Sequence, residues 1–189
     1  MADEQIRQRI LDAAGECLLH AGPTARIHHL IAERAGVSRP TLYKHLGDQK
    51  AIIEALLHRE LDRFLACART DLTHGGSPRE RFVDMVVYAV GYARRHTLLQ
   101  KILREQPQIV LPWLTTNAAT AFEHVLAFMT PHLEAEPGGA DQKLALEWQA
   151  RLAISLFITP SPTTRLDDPG QLRRHLSALF DLGHAPAPA

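Results

Sequence analysis

The segment VSRPTLYKHLGDQK, residues 37–50, places two leucines among many side chains that can donate or accept hydrogen bonds. Leu42 and Leu46 are four residues apart, so on a helix they share one face, which we expect to point inward. Ser38 stands where a helix N-cap accepts from the first free N–H groups. Pro40 falls in the first turn, where its missing N–H costs nothing. The segment therefore predicts a short helix that is anchored by two leucines and otherwise polar.

The residues before this helix predict a second helix and a tight turn. Leu30, Ile31 and Ala35 give the preceding helix an inward face, and the small Ala32 permits a close helix crossing. Gly36 can adopt the left-handed conformation that a sharp turn requires. Two short helices joined in this way predict a helix-turn-helix, whose second helix enters the major groove of DNA.

Five polar side chains of the second helix are left for contact with DNA. Arg39 and Lys44 suit guanine edges or phosphates. Thr41 suits a base edge or a thymine methyl, and Tyr43 suits a phosphate. His45 is predicted to face DNA with them. The second helix is therefore the predicted reading element.

The stretch IAERAGVSRPTLYKHLGDQKAIIEALL, residues 31–57, resembles the DNA-binding region of TetR-type (tetracycline-repressor-like) transcriptional regulators. The resemblance implies an all-helical homodimer that represses promoters and releases DNA when a small ligand binds its C-terminal domain. Two positions depart from the family pattern. Pro40 stands where a small residue such as glycine is usual, and the usual phosphate-contacting lysine of the fourth helix aligns with Gln49, one residue before Lys50.

Residue chemistry and the resemblance together predict one DNA-binding set in the N-terminal module. Its members are Arg26, His28, Ser38, Arg39, Pro40, Thr41, Tyr43, Lys44, His45, Gln49 and Lys50. The expected partner is double-stranded DNA with a palindromic operator, because two recognition helices one DNA turn apart read such a site.

The charge of the whole chain hides a local basic region. The formal net charge is zero, but residues 26–50 contain five basic and two acidic side chains, and phosphate binding needs only a local positive patch. The chain has 189 residues, of which 46% are hydrophobic and 22% are charged, as in soluble globular proteins. No secretory signal is visible at the N-terminus, and only two cysteines, Cys17 and Cys67, are present. These features predict a cytoplasmic protein.

The apolar pattern is helical along nearly the whole chain and predicts an all-α fold of about nine helices. The helices before residue 47 are short, and the later ones are longer and more apolar. We therefore predict a helix-turn-helix DNA-binding domain over residues 1–47 and an effector-binding and dimerisation domain over 48–183. Residues 184–189 are predicted to be a disordered tail.

The larger domain is expected to sense a ligand. Apolar stripes with a few polar tips are typical of small-molecule sites, although the same residues could simply fill a core. The predicted ligand-binding residues are Phe82, Met85, Ala89, Tyr92, His96, Ile102, Trp113, Asn117, His124, Phe128 and Trp148. This mostly apolar lining predicts an apolar to weakly polar effector.

The last two helices are predicted to form the interface of the homodimer. Residues 144–158 are apolar nearly all round, which fits a helix that is buried on both sides. The predicted interface residues are Leu144, Leu152, Leu156, Leu172, Leu176, Leu179 and Phe180. A purely intramolecular core is the alternative. Ligand binding is predicted to shift the helix over residues 97–104, which then pushes the helix over 48–72 and changes the spacing of the two reading helices.

Two other classes of protein compete with a regulator. An enzyme would need a catalytic or metal-binding motif, but Cys17 and His20 lack a second pair, and no nucleophile elbow or phosphate loop is present. We therefore predict no catalytic residue, no metal and no cofactor. A helical adaptor that binds only protein would lack DNA binding altogether, and this difference is open to direct test.

Overall fold

The computed structural model describes residues 2–22, 27–72, 77–133 and 139–183, and within these ranges the chain is helical with no strand. The predicted all-α class is confirmed. The helices in chain order are α1 (Ala2–Ala21), α2 (Ile27–Ala35), α3 (Arg39–Leu46), α4 (Gln49–Leu72), α5 (Pro78–Arg95), α6 (Thr97–Glu105), α7 (Pro107–Leu114), α8 (Ala119–Leu133), α9 (Gly139–Ile158) and α10 (Pro169–Gly183). The predicted disordered tail lies outside the described residues.

The described ranges contain ten helices where the apolar pattern indicated about nine. The additional helix is α7, which contains two prolines, a residue type that commonly ends or interrupts helices. Pro107 occupies the first turn of α7, where proline is well suited to start a helix. Pro112 lies inside the same helix, close to its end.

The chain divides into two compact units. Unit 1 comprises the described residues of Met1–Arg63 and His96–Ala121, and unit 2 those of Phe64–Arg95 and Phe122–Ala189. The division runs through α4 and joins α6 and α7 to the N-terminal helices. This division is based on structural compactness and does not test function. The functional domains predicted over residues 1–47 and 48–183 therefore stay a prediction.

The core of unit 1 forms where α1, α2, α3, α4 and α6 each contribute an apolar face. Its largest fully buried side chains are Ile10, Leu18, Ile27, Ile31, Leu42, Ile52, Ile53, Leu56 and Ile102. Burying one such side chain contributes roughly 1.5–3 kcal/mol relative to leaving it exposed. This core holds α3 from one side, so the opposite side of α3 is left for solvent or a partner.

The core of unit 2 is built on the apolar stripe of α5. Val83, Val86 and Val90 recur at helical spacing and pack with Leu172 and Leu176 of α10. An arginine on α5 also clamps α10: Arg79 donates from Nε and Nη2 to the two carboxylate oxygens of Asp181, each at 2.8 Å. No helix in the described part of the chain has the length and apolar character needed to span a membrane.

Candidate DNA-binding surface

The turn between α2 and α3 has the left-handed glycine that the sequence predicts. Gly36 has φ +62°, and its N–H donates to the Glu33 carbonyl at 3.1 Å. The next N–H, that of Val37, donates to the Ala32 carbonyl at 3.0 Å. Together these two bonds form a Schellman motif, which satisfies carbonyls at the end of α2. A side chain at position 36 would strain this turn, since φ is positive there.

The start of α3 is capped by Ser38. Its Oγ accepts from the Thr41 N–H at 3.2 Å, and the two hydroxyl oxygens are 2.7 Å apart. One hydrogen bond between two hydroxyls uses one hydroxyl hydrogen. The other hydrogen is therefore left to donate to an outside acceptor such as a phosphate or a base.

The outer face of α3 carries the side chains that the sequence assigns to DNA. Arg39, Pro40 and Lys44 are exposed, and Tyr43 is 47% exposed. Leu42, by contrast, is fully buried. One face of this helix is therefore fixed in the core, and the other presents two cations and a phenol.

His45 does not face outward, and its predicted contact with DNA is wrong for this structure. Its side chain is only 9% exposed, and its Nε2 lies 3.5 Å from Oδ1 of Asp3 on α1. The physical reason is its position on the helix. His45 comes three residues after Leu42 and directly before Leu46, and this position still belongs to the inner face of α3.

Two arginines of α1 hold the ends of α2 and α3, and sequence reasoning missed both. Arg7 Nη1 donates to the His45 carbonyl at 3.0 Å, and Arg9 Nη2 donates to the Ala35 carbonyl at 2.5 Å. Cations suit the negative ends of helix dipoles and the free carbonyls there. An arginine on an amphipathic helix gives no sequence signal for this role, which depends on which helix ends lie beside it.

The start of α4 presents Lys50 more openly than Gln49. Gln49 is half-buried, and its Nε2 donates to Oε1 of Gln106 at 3.4 Å. Lys50 is exposed, with its Nζ 3.7 Å from a carboxylate oxygen of Glu54. Asp48 caps this helix by accepting from the Ala51 N–H at 2.9 Å.

Two other members of the predicted DNA-binding set, His28 and Arg26, lie in or just before α2. His28 lies in the first turn of α2 and stacks on the ring of Tyr43. Arg26 lies outside the described residues.

The predicted effector residues are distributed over both units. His96, Ile102, Trp113 and Asn117 belong to unit 1, whereas Phe82, Met85, Ala89, Tyr92, His124, Phe128 and Trp148 belong to unit 2. One of these assignments needs correction, because Ile102 is buried in the core of unit 1, where α6 packs. Trp148 is 63% exposed on α9, and its place in a ligand site stays a prediction.

Several of the other predicted effector residues contact aromatic or charged side chains. Trp113 packs edge-on against His58 with ring centroids 5.7 Å apart. Asn117 is exposed. In unit 2, Tyr92 contacts Phe64 edge-on with centroids 5.1 Å apart, and Arg69 lies over the ring of Phe128. Within unit 2, therefore, α4, α5 and α8 carry aromatic side chains with tyrosine hydroxyls and an arginine nearby.

His96 has both ring nitrogens engaged within unit 1. It is the N-cap of α6, where Nδ1 accepts from the Leu99 N–H at 3.2 Å, and its Nε2 lies 3.2 Å from Oε2 of Glu60 on α4. Burial by itself would raise the pKa of the Glu60 carboxyl. The hydrogen bond from His96 and the charges of Arg63, His96 and Arg59 outweigh burial and lower the pKa below its ordinary value of 4.5. His96 thus ties the start of α6 to α4.

Replacing Glu60 with glutamine should reduce stability only where the carboxyl is ionised. A carboxyl whose pKa is lowered by folding contributes stability above its ordinary pKa, and this contribution is lost as the pH falls through the folded-state value. We expect the variant to lose about 1–3 kcal/mol at about pH 7 and to approach the wild type in acid. Urea unfolding at both pH values measures this, with Glu123→Gln, at an exposed site on α8, as the matched control. An equal loss at both pH values would contradict the assignment.

The predicted dimer residues divide into exposed and buried groups. Leu144 and Leu179 are 57% and 42% exposed. Leu172 and Leu176 are buried in the core of unit 2, so their predicted place in the interface is wrong: they attach α10 to α5 instead. Leu152 and Leu156 pack partly against that core, and the ring of Phe180 lies 5.5 Å from that of Phe82.

Comparison with known proteins agrees with this geometry. Residues 10–56 match the family model described as bacterial regulatory proteins of the tetR family, a range that includes the whole of α2 and α3. Among curated proteins, the transcriptional activator FasR of Mycolicibacterium smegmatis is 26% identical over 120 residues, which cover 64% of this chain and 55% of FasR. The repressor KstR of the same species is 29% identical over 124 residues, which cover 66% of this chain and 59% of KstR.

The fold has a counterpart among solved structures. The TetR-family repressor AlkX from Dietzia sp. strain DQ12-45-1b superposes with a TM-score of 0.72 and 22% identity, covering 94% of each chain. The chain spans only a little over half the length of the curated relatives FasR and KstR. Residues 10–56 are therefore similar to the tetR family of bacterial regulatory proteins, and the fold of the chain is similar to that of a TetR-family repressor.

Proposed function

We propose that the protein is a transcriptional regulator that binds a palindromic operator as a homodimer and releases it when a small molecule binds. One observation carries the DNA-binding part. The short helix α3 is capped by Ser38, anchored by the buried Leu42, and exposes Arg39, Tyr43 and Lys44 on its opposite face. A helix that is held rigidly on one side and is cationic on the other has the properties of a recognition helix.

The exposed side chains of α3 support two different kinds of contact. Arg39 lies in the first turn of the helix, and recognition helices contact base edges mainly with their N-terminal residues. Lys44 lies near the other end, where a contact with phosphate positions the helix without reading sequence. We therefore assign sequence reading to Arg39 and Thr41, and backbone positioning to Tyr43, Lys44 and Lys50.

The proposed homodimer uses the exposed apolar side chains of unit 2. Leu144 and Trp148 are four residues apart on α9 and so lie on the same face of that helix. Large apolar side chains that stand out together from the surface commonly mark an interface. A second copy of the chain is the proposed partner, since two-fold symmetry would also pair two recognition helices for a palindromic site.

The proposed effector site lies among the aromatic side chains of unit 2. Phe64, Tyr88 and Tyr92 form one group of contacting rings, and Phe128 with Arg69 forms another. Aromatic surface with few polar groups favours an apolar to weakly polar effector. The relatives FasR and KstR are named as an activator and a repressor, so the sign of regulation is a separate question, and we propose repression.

The signal is proposed to pass from α6 to α4. Within unit 1, α6 is attached to α4 through His96 and Glu60, and the residue after α6, Gln106, bonds to Gln49 at the start of α4. A shift of α6 would therefore act on the helix that directly follows the recognition helix. The effector must bind one arrangement more tightly than the other for this shift to occur.

Enzyme activity is the weaker candidate. Cys17 and His20 line an open groove of about 380 Å³ between α1 and α2, which makes the thiol the obvious group to consider. Burial raises the pKa of the Cys17 thiol, although the charge of Arg34 acts in the opposite direction. A thiol that stays protonated is a poor nucleophile, so nothing in this groove favours catalysis over regulation.

Selection of bound sequences from a random DNA pool tests the proposed function. We expect an enriched palindrome in which Arg39 reads one base of each half-site. Arg39→Ala should then weaken binding by about 1–3 kcal/mol for each base that the arginine reads and should relax specificity at that position. Arg165→Ala is the matched control, because that arginine is 79% exposed in unit 2. A pool that yields no enriched sequence would instead favour a helical adaptor that binds protein.

A further inference from the structure

The rings of His28 and Tyr43 form a stacked pair that joins α2 to α3. Their centroids are 4.8 Å apart and their planes differ by 12°, a geometry that gives aromatic pairs a favourable contact. Tyr43 nevertheless keeps 47% of its surface exposed. One face of the phenol is therefore covered by the imidazole while the residue remains accessible to a partner.

The Nε2 nitrogen of this imidazole is poorly placed to contact DNA directly. Nε2 of His28 is buried and has no hydrogen-bond partner among the residues that the structure describes. Because this nitrogen is buried, it is not exposed to accept a hydrogen bond from an outside group or donate one to it, whereas the flat surface of the ring does make a contact, the stack on Tyr43.

We infer that His28 is a positioning residue for DNA binding that holds Tyr43 in one orientation before DNA arrives; this inference rests on the proposed function. Fixing a flexible side chain in advance removes part of the entropy cost of binding. The stack does so from a neighbouring helix, so the position of Tyr43 does not depend on α3 alone. His28 then acts through Tyr43 and not through a phosphate contact of its own.

Three substitutions at His28 separate stacking from direct contact. His28→Phe keeps a flat ring and removes the nitrogens, His28→Gln keeps a polar donor and removes the ring, and His28→Ala removes both. We expect the alanine and glutamine variants to bind the selected operator about three- to tenfold more weakly per recognition helix. The phenylalanine variant should bind within about twofold of the wild type, because aromatic stacking does not need the imidazole nitrogens. Circular dichroism and urea unfolding check that each variant is folded.

Coupling to Tyr43 supplies a second readout that a merely structural role would not change. Tyr43→Phe should weaken binding when His28 is present and have a smaller effect in the His28→Ala background, because the hydroxyl is then no longer held in place. Equal effects in the two backgrounds would overturn the inference. So would glutamine matching the wild type while phenylalanine matches alanine, since that pattern indicates a direct polar contact.

The outcome for the wild type separates this inference from the proposed function. A wild type that selects an operator, with all His28 variants binding it equally well, would overturn the inference alone. A wild type that selects no DNA sequence would overturn the proposed function and the inference with it.

Discussion

Replacing Trp148 with glutamate, together with Leu144→Glu, is expected to convert the proposed homodimer to a monomer and to lower operator affinity by about a hundredfold or more. Both side chains are mostly exposed, at 63% and 57%, and they lie on one face of α9. A tryptophan buried at the centre of an interface commonly contributes about 2 kcal/mol or more to binding, roughly thirtyfold. Two charges on the same surface would add a desolvation cost.

Sedimentation and DNA mobility-shift measurements on the same samples test this expectation. Because both residues are exposed within one chain, the double variant should keep its helical content and its resistance to urea as an isolated protomer. Trp148→Phe is the matched control, since it keeps an apolar aromatic side chain and should remain a dimer. A double variant that sediments as a dimer of unchanged affinity would show that the chain associates through another surface.

Replacing Leu42 with alanine is expected to destabilise the DNA-binding part of the chain by about 2–5 kcal/mol. Leu42 is fully buried, and its removal would leave a cavity between α3 and the core of unit 1. Since a domain is typically stable by only about 5–15 kcal/mol, this single change should lower the unfolding midpoint strongly. DNA binding should then disappear at temperatures where the wild type still binds.

Lys44→Ala, two residues from Leu42 on the same helix, should show a different pattern: DNA binding should weaken while stability stays nearly unchanged. Lys44 is exposed, so its removal should change stability by less than about 0.5 kcal/mol. The substitution should weaken operator binding and reduce the slope of log affinity against log salt by about 0.9 for each phosphate that the lysine neutralises. Thermal unfolding and salt titrations on both variants test the pair. A large fall in the stability of Lys44→Ala would contradict the assignment of inner and outer faces on α3.

The helix-turn-helix could be predicted closely because its decisive features are local. Gly36 is needed for positive φ, Ser38 for the cap, and Leu42 with Leu46 for the inner face. Each of these depends on residues within one turn of helix, so the sequence determines them directly. The additional helix α7 was missed because Pro107 can end one helix or begin another, and the residues around it do not decide between the two.

For side chains at the boundary between the inner and outer faces of α3, burial was harder to predict. His45 and Tyr43 both adjoin the anchored face of α3, and from sequence both were assigned to DNA. Packing of α1 over the end of α3 buries His45 against Asp3, while Tyr43 lies against His28 and stays accessible. The difference depends on where α1 and α2 lie, which helical spacing does not specify.

By itself, the sequence of this protein determined the all-helical class, the turn at Gly36, the cap at Ser38 and the cationic face of α3, because these depend on local backbone preferences and helical periodicity. Only the tertiary structure decided which apolar side chains fill the core and which stand outside it. Leu176 and Trp148 both lie on apolar C-terminal helices, yet the first is fully buried and the second is 63% exposed. The physical reason is that periodicity gives the faces of a helix, whereas burial depends on which neighbouring helix covers each face.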